Sequence, residues 1–552
     1  MSEVSIPYFK RERPTAAAEE HKSRSLYWAI FAVVWVTEFI VGYYVSHKIG
    51  YMHTDAISRV ANAFYVLYSG DPHLGAIGFI WNPLPSLVEI IFLVFYPLFP
   101  ALASSGLAGV LMSSLFAGFT ASLLVRAGDY HGISRWVSVG ISLLFAFNPF
   151  MFLFGMNGLS DAPFIFFTMH AVIHLTYWMK DRHVGNLLKL SLSLALAFWT
   201  RYEAVPFAIG VGLVVVLALL YRLKKNKAEK QTSAKDKYQQ AESALTLVWS
   251  PIVYSGLLWV FLNYIIMGNP FYFLNSEYSN VEQSAVLATD LKFQHLIGHP
   301  WNSFVFVLGK MLYFSIPLFG VVLLRIVNRR WQIWELVGLL GMVSSIVALQ
   351  YLLIVKGTSF GWFRYFMYVF PITVAWLPYE LSKVRRSWLN SSIILASLIL
   401  SVVVLTGALF NPEVAPDENK MLHAYEHAAE MDVDRQVARY LDSELNKDTI
   451  LMDSYSAYNV ILNSDQPSRF IITSDANFRE SLDDPRASGV DYILSPKPDS
   501  SSALSADNRL YPQFYERGAE WCELYKEFGN EQGGRWRIYK VKKKADVIEH
   551  ES

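Results

Sequence analysis

A few charged and aromatic side chains, set between long apolar runs, are the residues of this chain suited to chemistry. His53, Asp55 and Arg59 stand in "HTDAISR", just after the first long apolar segment. The polar and aromatic stretch they open continues through Asp71, His73, Trp81 and Asn82 to "GFIWNPLPS". Asp161 lies in "GMNGLSDAPFIFF", Arg201 and Glu203 in "WTRYEAVPF", and Lys356, Arg364 and Tyr365 in "LIVKGTSFGWFRYFMYVFP". A positioned carboxylate can take the proton of an acceptor hydroxyl. Cations, or a metal, can hold a leaving phosphate as charge builds on it, and the planar guanidinium of arginine matches phosphate geometry. Transfer from a lipid-linked phosphosugar needs that mixture beside a lipid-facing groove. In that chemistry Asp55 fits the base, and Arg364, Arg201, Lys356 and Arg59 fit the phosphate contacts. Asp161 orients the acceptor or shares a metal with Asp55. His53, His73, Trp81, Asn82, Glu203 and Tyr365 complete the substrate-binding set.

Each residue also has a plainer reading. Asp55 fits a solvated turn, and Asp161, after Ser160, fits a helix cap. Arg201 and Arg364 fit interfacial side chains whose stems lie in lipid and whose heads reach water. Glu203 fits an ion-pair partner of Arg201, and Trp81 fits an aromatic belt. His53 and His73 match no zinc spacing.

The elements that must position these residues follow from composition. Of 552 residues, 53% are hydrophobic and only 17% charged, against about 25% charged in soluble globular chains. Runs such as "LLKLSLSLALAFW" and "AIGVGLVVVLALLY" define a polytopic α-helical membrane protein, with the lipid bilayer as a partner. The formal net charge is zero, so nothing global points to nucleic acid. A single cysteine, Cys522, excludes an intrachain disulfide and a multi-cysteine metal site, and fits a small buried residue. Residues 1–25 form a basic tail ahead of a retained first helix, which points to a cytoplasmic start. Glu38 inside that helix is expected to face the bundle, because an ionised carboxylate in hydrocarbon costs about 2.5–3.5 kcal/mol.

Apolar spans fall near 26–45, 101–125, 136–156, 161–179, 187–200, 204–222, 245–267, 302–325, 334–355, 362–382 and 390–410. A further segment, 84–99, has sixteen residues and carries Glu89 between prolines. As a helix it spans about 24 Å, short of a hydrocarbon core near 30 Å. The linkers 222–237 ("RLKKNKAEKQTSAKDK"), 325–330, 383–386 and 180–183 are basic and belong inside. They share one side only if 84–99 does not cross. Eleven crossings result, with the N-terminus inside and the C-terminus outside. Loop 46–100, the loop 268–300 and everything after 411 then lie on the outer face, with Asp161, Arg201, Lys356 and Arg364.

After residue 411 the pattern changes. "VDRQVARYLDSEL" and "YSAYNVILNS" read as helices, and "TILMD", "RFIITS", "GVDYILSP" and "WRIYKV" as strands, with "PKPDSSSALSADNR" as a loop. The alternation predicts a small α/β domain over 411–552. It has no glycine-rich phosphate loop, so a supporting or acceptor-contacting role suits it better than a second active site.

The layout resembles the GT-C superfamily of membrane glycosyltransferases, in particular the protein mannosyltransferase-like branch and its bacterial aminoarabinose and arabinofuranosyl relatives. The resemblance rests on Asp55 in the first long loop, "WNPLPSLVEI" before a juxtamembrane helix, Asp161 in "LSDAPFIFF", "TRYEA" at 200–204, and Arg364-Tyr365 followed by Pro371. It covers most of the chain, with a catalytic module over 26–410, and the order of its short motifs carries it. It implies an inverting transfer from a polyprenyl-phosphate sugar to a glycan, lipid or protein acceptor, with Asp55 as base. Many relatives carry a paired acid where Asp55 is followed by Ala56. No cofactor is assigned, and a divalent metal, Mg2+ or Mn2+, stays open.

Three other readings compete. A transporter would show internal repeats and midplane charges, whereas no clear repeat is seen here. A lipid-linked oligosaccharide ligase or polymerase would place its largest outer loop late in the chain. A non-catalytic assembly protein would leave Asp55 freely replaceable.

Overall fold

The structure is a computed structural model that describes residues 17–225, 234–279, 282, 291–530 and 533–543. Backbone groups in hydrocarbon must be satisfied within their own segment, so the apolar runs fold as helices. Six described helices are long and apolar enough to cross a membrane: Arg24–Ile49, Leu107–His131, Ala204–Tyr221, Tyr238–Met267, Ile333–Val355 and Trp388–Leu409. Two bent pairs raise the number to eight if each is one span: Arg135–Ala146 with Pro149–Met156, bent by 65°, and Pro300–Phe314 with Ile316–Val327, bent by 72°. The protein is membrane-embedded through these helices.

The remaining three of the eleven expected spans are Asp161–Asp181, Val184–Thr200 and Val369–Ser382. Val184–Thr200 has 17 residues and Val369–Ser382 only 14. Asp161–Asp181 and Val369–Ser382 are buried around most of their circumference. Protein surrounds these two in place of lipid, and none of the three has the length and apolar composition of the eight, so eleven crossings are not reached by that measure. The two bent pairs also correct the expectation of continuous spans at 136–156 and 302–325. Asn148 caps the second half of the first pair, its side chain accepting from the Phe150 N–H at 3.1 Å, with Pro149 at the helix start. Pro317 sits in the first turn after the second break. A proline there removes a backbone donor and ends the preceding hydrogen-bond ladder.

Helix ends gather at two faces. At one, Tyr27 donates to Asp129 at 2.8 Å, Lys180 Nζ to the Tyr130 carbonyl at 2.7 Å, and Arg386 to the Gly132 carbonyl. At the other, Arg201 meets Asp161 and Arg364 meets Asp55. The first helix ends at Gly50 and Leu107–His131 starts after Gly106. Both points lie at the second face, because a Cβ on Gly106 would come within 1.9 Å of Met52 Sδ. The chain between them therefore begins and ends on one face, as a non-crossing 84–99 requires. Its helix is Leu84–Leu93, ten residues and shorter than expected.

Part of the expected basic loop 325–330 is paired within the bundle. Arg325, which is buried, and Arg330, which is partly so, bridge Glu335 and Glu380, with Arg325 Nη2–Glu335 at 3.2 Å, Arg325 Nε–Glu380 at 2.7 Å and Arg330 Nη1–Glu380 at 2.6 Å. Two arginines and two glutamates neutralise one another there and tie this stretch to the bundle. Half of the strongest basic linker, residues 226–233, and residues 1–16 of the tail lie outside the described residues. Glu38 is buried against Gly155 inside the bundle, as expected.

The C-terminal unit holds a five-stranded sheet of order β2-β1-β3-β5-β4. The strands are β1 (Ile450–Met452), β2 (Phe470–Ile471), β3 (Tyr492–Pro496), β4 (Cys522–Asn530) and β5 (Gly533–Val541). β1 runs parallel to β2 and β3, in register Ile450↔Phe470 and Ile450↔Tyr492. β5 is antiparallel to both β3 and β4. Helix Ser454–Leu462 forms where its apolar spacing predicts, while Ala424–Glu444 covers the expected 433–445 but starts well before it. β4 was not expected. It is an edge strand of mixed polarity whose register shifts between Leu524 and Lys526, so its alternation is broken. The expected loop at 496–509 holds a 3-10 turn, Ser500–Leu504, and a short helix, Ala506–Leu510. Ser505 donates to Asp507 at 2.6 Å and starts that helix. Cys522 is buried. The unit docks on the second face: Ser454–Leu462 packs on the helix Thr54–Tyr68, Arg435 donates to the Gly50 carbonyl at 2.7 Å, and Tyr278 donates to Asp453 at 2.9 Å.

Candidate functional site

"HTDAISR" is the start of a helix, not a solvated turn. His53 caps Thr54–Tyr68, its Nδ1 accepting from the Asp55 N–H at 3.1 Å. Burial lowers the His53 pKa and keeps the ring neutral, which that accepting nitrogen requires. Asp55 occupies the first turn, where the helix dipole favours an anion. The apolar face of this helix buries Ala56, Ile57 and Val60, so it cannot roll and its first turn is held in place.

Arg364 comes from the short turn Phe363–Phe366 and closes on Asp55, Nη2 to Oδ2 at 2.5 Å. The arginine side chain is 3% exposed and the aspartate 28%, so the pair opens to solvent on the carboxylate side. Burial raises the Asp55 pKa, but Arg364 outweighs it, with help from His53 and Arg59, and the group settles at about 2. Two further nitrogens of Arg364, Nε and Nη1, are buried without a hydrogen-bond partner. Its guanidinium stacks 4.5 Å from the Trp362 ring.

Asp161 begins Asp161–Asp181 but does not cap it. Its Oδ1 accepts from Arg201 Nη1 at 3.0 Å and from Tyr368 Oη at 2.6 Å, and Oδ2 has no partner. Ser160 makes no capping bond either. Glu203 grips Arg201 through two bonds, at 2.8 and 3.3 Å. Arg201 is mostly enclosed by these contacts, so it does not reach for water from a lipid-facing stem. The Tyr365 ring lies 5.7 Å from both the Arg201 and the Arg364 guanidinium, joining the two ion pairs into one site.

Behind them the outer loop is stapled to helix ends. Arg59 donates to the Asn82 carbonyl at 3.1 Å and lies 4.9 Å from the Trp81 ring. The Asn82 amide donates to the Phe198 carbonyl at 2.7 Å, and Tyr202 donates to the Ile80 carbonyl at 2.9 Å. Asn82 is thus spent on architecture, and Trp81 covers Arg59. Glu89 is fully buried without partners, and burial pushes it up to about 8.

Lys356 and His73 are not brought into this site. Lys356 is exposed at the end of Ile333–Val355. His73 bonds the Asp71 carbonyl at 2.7 Å near the docked C-terminal unit. Two residues that sequence reasoning passed over do join it. Tyr368 sits one turn after Arg364, and that spacing was a readable signal. Glu418, on the helix Pro416–Leu422 beyond the last long helix, offered none.

The assembled site offers an anionic carboxylate with one side open, a buried guanidinium with spare donors, and a second, rigid carboxylate–arginine–tyrosine wall. That combination suits an anionic ligand bound next to a proton acceptor. Among the described residues, no group of three or more His, Cys, Asp or Glu side chains is arranged to hold a metal ion. No protein-family model matches this chain, and no curated protein matches it in sequence.

Proposed function

We propose that this protein is an inverting glycosyltransferase of GT-C type, which moves a sugar from a polyprenyl-phosphate donor to a hydroxyl of a glycan, lipid or protein acceptor. The reaction takes place at the outer membrane face, with eleven crossings, a cytoplasmic N-terminal tail and an extracytoplasmic C-terminal unit. The observation that carries this reading is the Asp55–Arg364 pair, with two spare donors on the arginine and solvent access on the aspartate.

Donor phosphate competes for Arg364 because its free Nε and Nη1 can grip two oxygens. As the guanidinium turns toward phosphate, Asp55 loses its nearest cation. Burial then dominates and its affinity for a proton rises toward that of a working base. The acceptor oxygen attacks the anomeric carbon opposite the phosphate, and Asp55 receives the proton. Asp161, Arg201, Glu203 and Tyr368 hold the wall that orients the sugar.

Asp55→Asn, in purified protein reconstituted with a panel of polyprenyl-phosphate sugars, is expected to lower turnover by roughly 10²–10⁴-fold while lipid-phosphate binding persists. Near-normal turnover would sink the assignment.

A further inference from the structure

A second buried carboxyl lies away from the Asp55 site, inside the helical bundle. Glu38 stands near the middle of the span Arg24–Ile49. It is 1% exposed, and its Oε2 has no hydrogen-bond partner. A carboxyl at that depth is costly and marks a site. Beside it is a cavity of about 20 Å³, room for one water-sized occupant. Its lining includes Glu38 from the first helix, Thr120 from Leu107–His131, Ala146 at the end of Arg135–Ala146, Gly155 from Pro149–Met156 and Ala162 from Asp161–Asp181. A Cβ on Gly155 would come within 1.9 Å of Glu38 Oε2, so the glycine keeps the carboxyl's space open.

The polar groups of these lining residues are acceptors. Thr120 gives its hydroxyl proton to the Phe116 carbonyl at 2.8 Å, which leaves its oxygen free to accept. The bend between Arg135–Ala146 and Pro149–Met156 releases the Ala146 carbonyl. In a continuous helix the Phe150 N–H would return to it, but that N–H bonds the Asn148 side chain at 3.1 Å. The end of the first half-helix also carries the negative end of its dipole. Among the described residues, no Lys, Arg or His lines the cavity. Carboxylate, hydroxyl and carbonyl oxygens at the end of a broken membrane helix suit an alkali cation. One positive charge balances the one carboxylate, whereas a divalent ion would leave net charge in hydrocarbon.

We propose that this cavity binds a sodium ion, held by the Glu38 carboxylate, Thr120 Oγ1 and the Ala146 carbonyl. The ion ties the first helix to the bent pair and to the helix that begins at Asp161. This site is independent of the glycosyl-transfer reading.

The test is thermal unfolding of the full-length protein in detergent, with sodium chloride raised from about 1 to 200 mM and choline chloride holding total salt constant. Wild type is expected to gain about 2–5 °C. Glu38→Gln keeps the shape, loses the charge and is expected to gain nothing. Thr120→Val removes one ligand oxygen and should need about fivefold more sodium for half its gain. No sodium-dependent gain in wild type overturns the proposal, because the carboxyl is then neutral and the cavity takes water. An equal gain in Glu38→Gln puts the ion elsewhere and overturns it too. If Glu38→Gln does not fold, Thr120→Val decides, and half-gain at the wild-type sodium concentration overturns the site.

Discussion

Asp55 and Arg364 are 309 positions apart in the chain and meet at 2.5 Å. Their pairing sets a sign that can be checked. The folded Asp55 pKa of about 2 lies below the unfolded value of about 3.9, so the pair stabilises the fold above that value and is lost as pH falls through 2, an effect of about 2 kcal/mol. In Arg364→Met the balance reverses, because burial then raises the Asp55 pKa. That variant is expected to be less stable than wild type at pH 7 by about 3–5 kcal/mol, with the gap narrowing as pH drops to 4 and Asp55 is neutralised. Adding Asp55→Asn to it should recover part of the loss at pH 7. Thermal unfolding in detergent from pH 4 to 7 checks this, and a gap independent of pH would contradict it.

At the scale of elements, the site depends on where the chain re-enters the bundle. Gly106 starts Leu107–His131 with φ at +65° and packs against Met52, two residues before the helix that carries Asp55. A side chain there strains the backbone and pushes Met52 away. Gly106→Ala is expected to cost roughly 1–3 kcal/mol from overpacking, with backbone strain added. It should also displace the first turn of Thr54–Tyr68, so unfolding temperature and turnover fall together. An unchanged unfolding temperature would show that the Met52 contact is not needed. The helix breaks at Asn148 and Ser315 are likewise set by local chemistry, a capping side chain and nearby prolines.

At the scale of the whole molecule, the proposed eleven crossings put the two faces on opposite sides of the membrane. Trp136 and Tyr425 are strongly exposed, at 86% and 83%, on the first and second face, and the native Cys522 is buried. Single Trp136→Cys and Tyr425→Cys variants in sealed vesicles are therefore expected to react with an impermeant maleimide from opposite sides, with position 425 on the extracytoplasmic one. Labelling of both from the same side would overturn the count of crossings.

Apolar run length made the membrane class and most helix positions legible, because a helix in lipid must satisfy its own backbone within one continuous segment, and the basic linkers added the reading of 84–99 as non-crossing. The strand–helix alternation after 411 was legible for the same local reason, except at β4, where a register shift in an edge strand hides the period. Sequence also marked Asp55, Asp161, Arg201, Glu203 and Arg364 as a group through their shared side. It had no means of showing that Asp161 spends its carboxylate on Arg201 and Tyr368, that Asn82 is a staple, or that Lys356 and His73 stand apart. Nor did it show that Glu418, from a segment beyond the last long helix, is buried near Arg364. Those are contacts between residues tens to hundreds of positions apart. Burial and pairing of charges are properties of the packed bundle, so only the tertiary structure decided which charges work together.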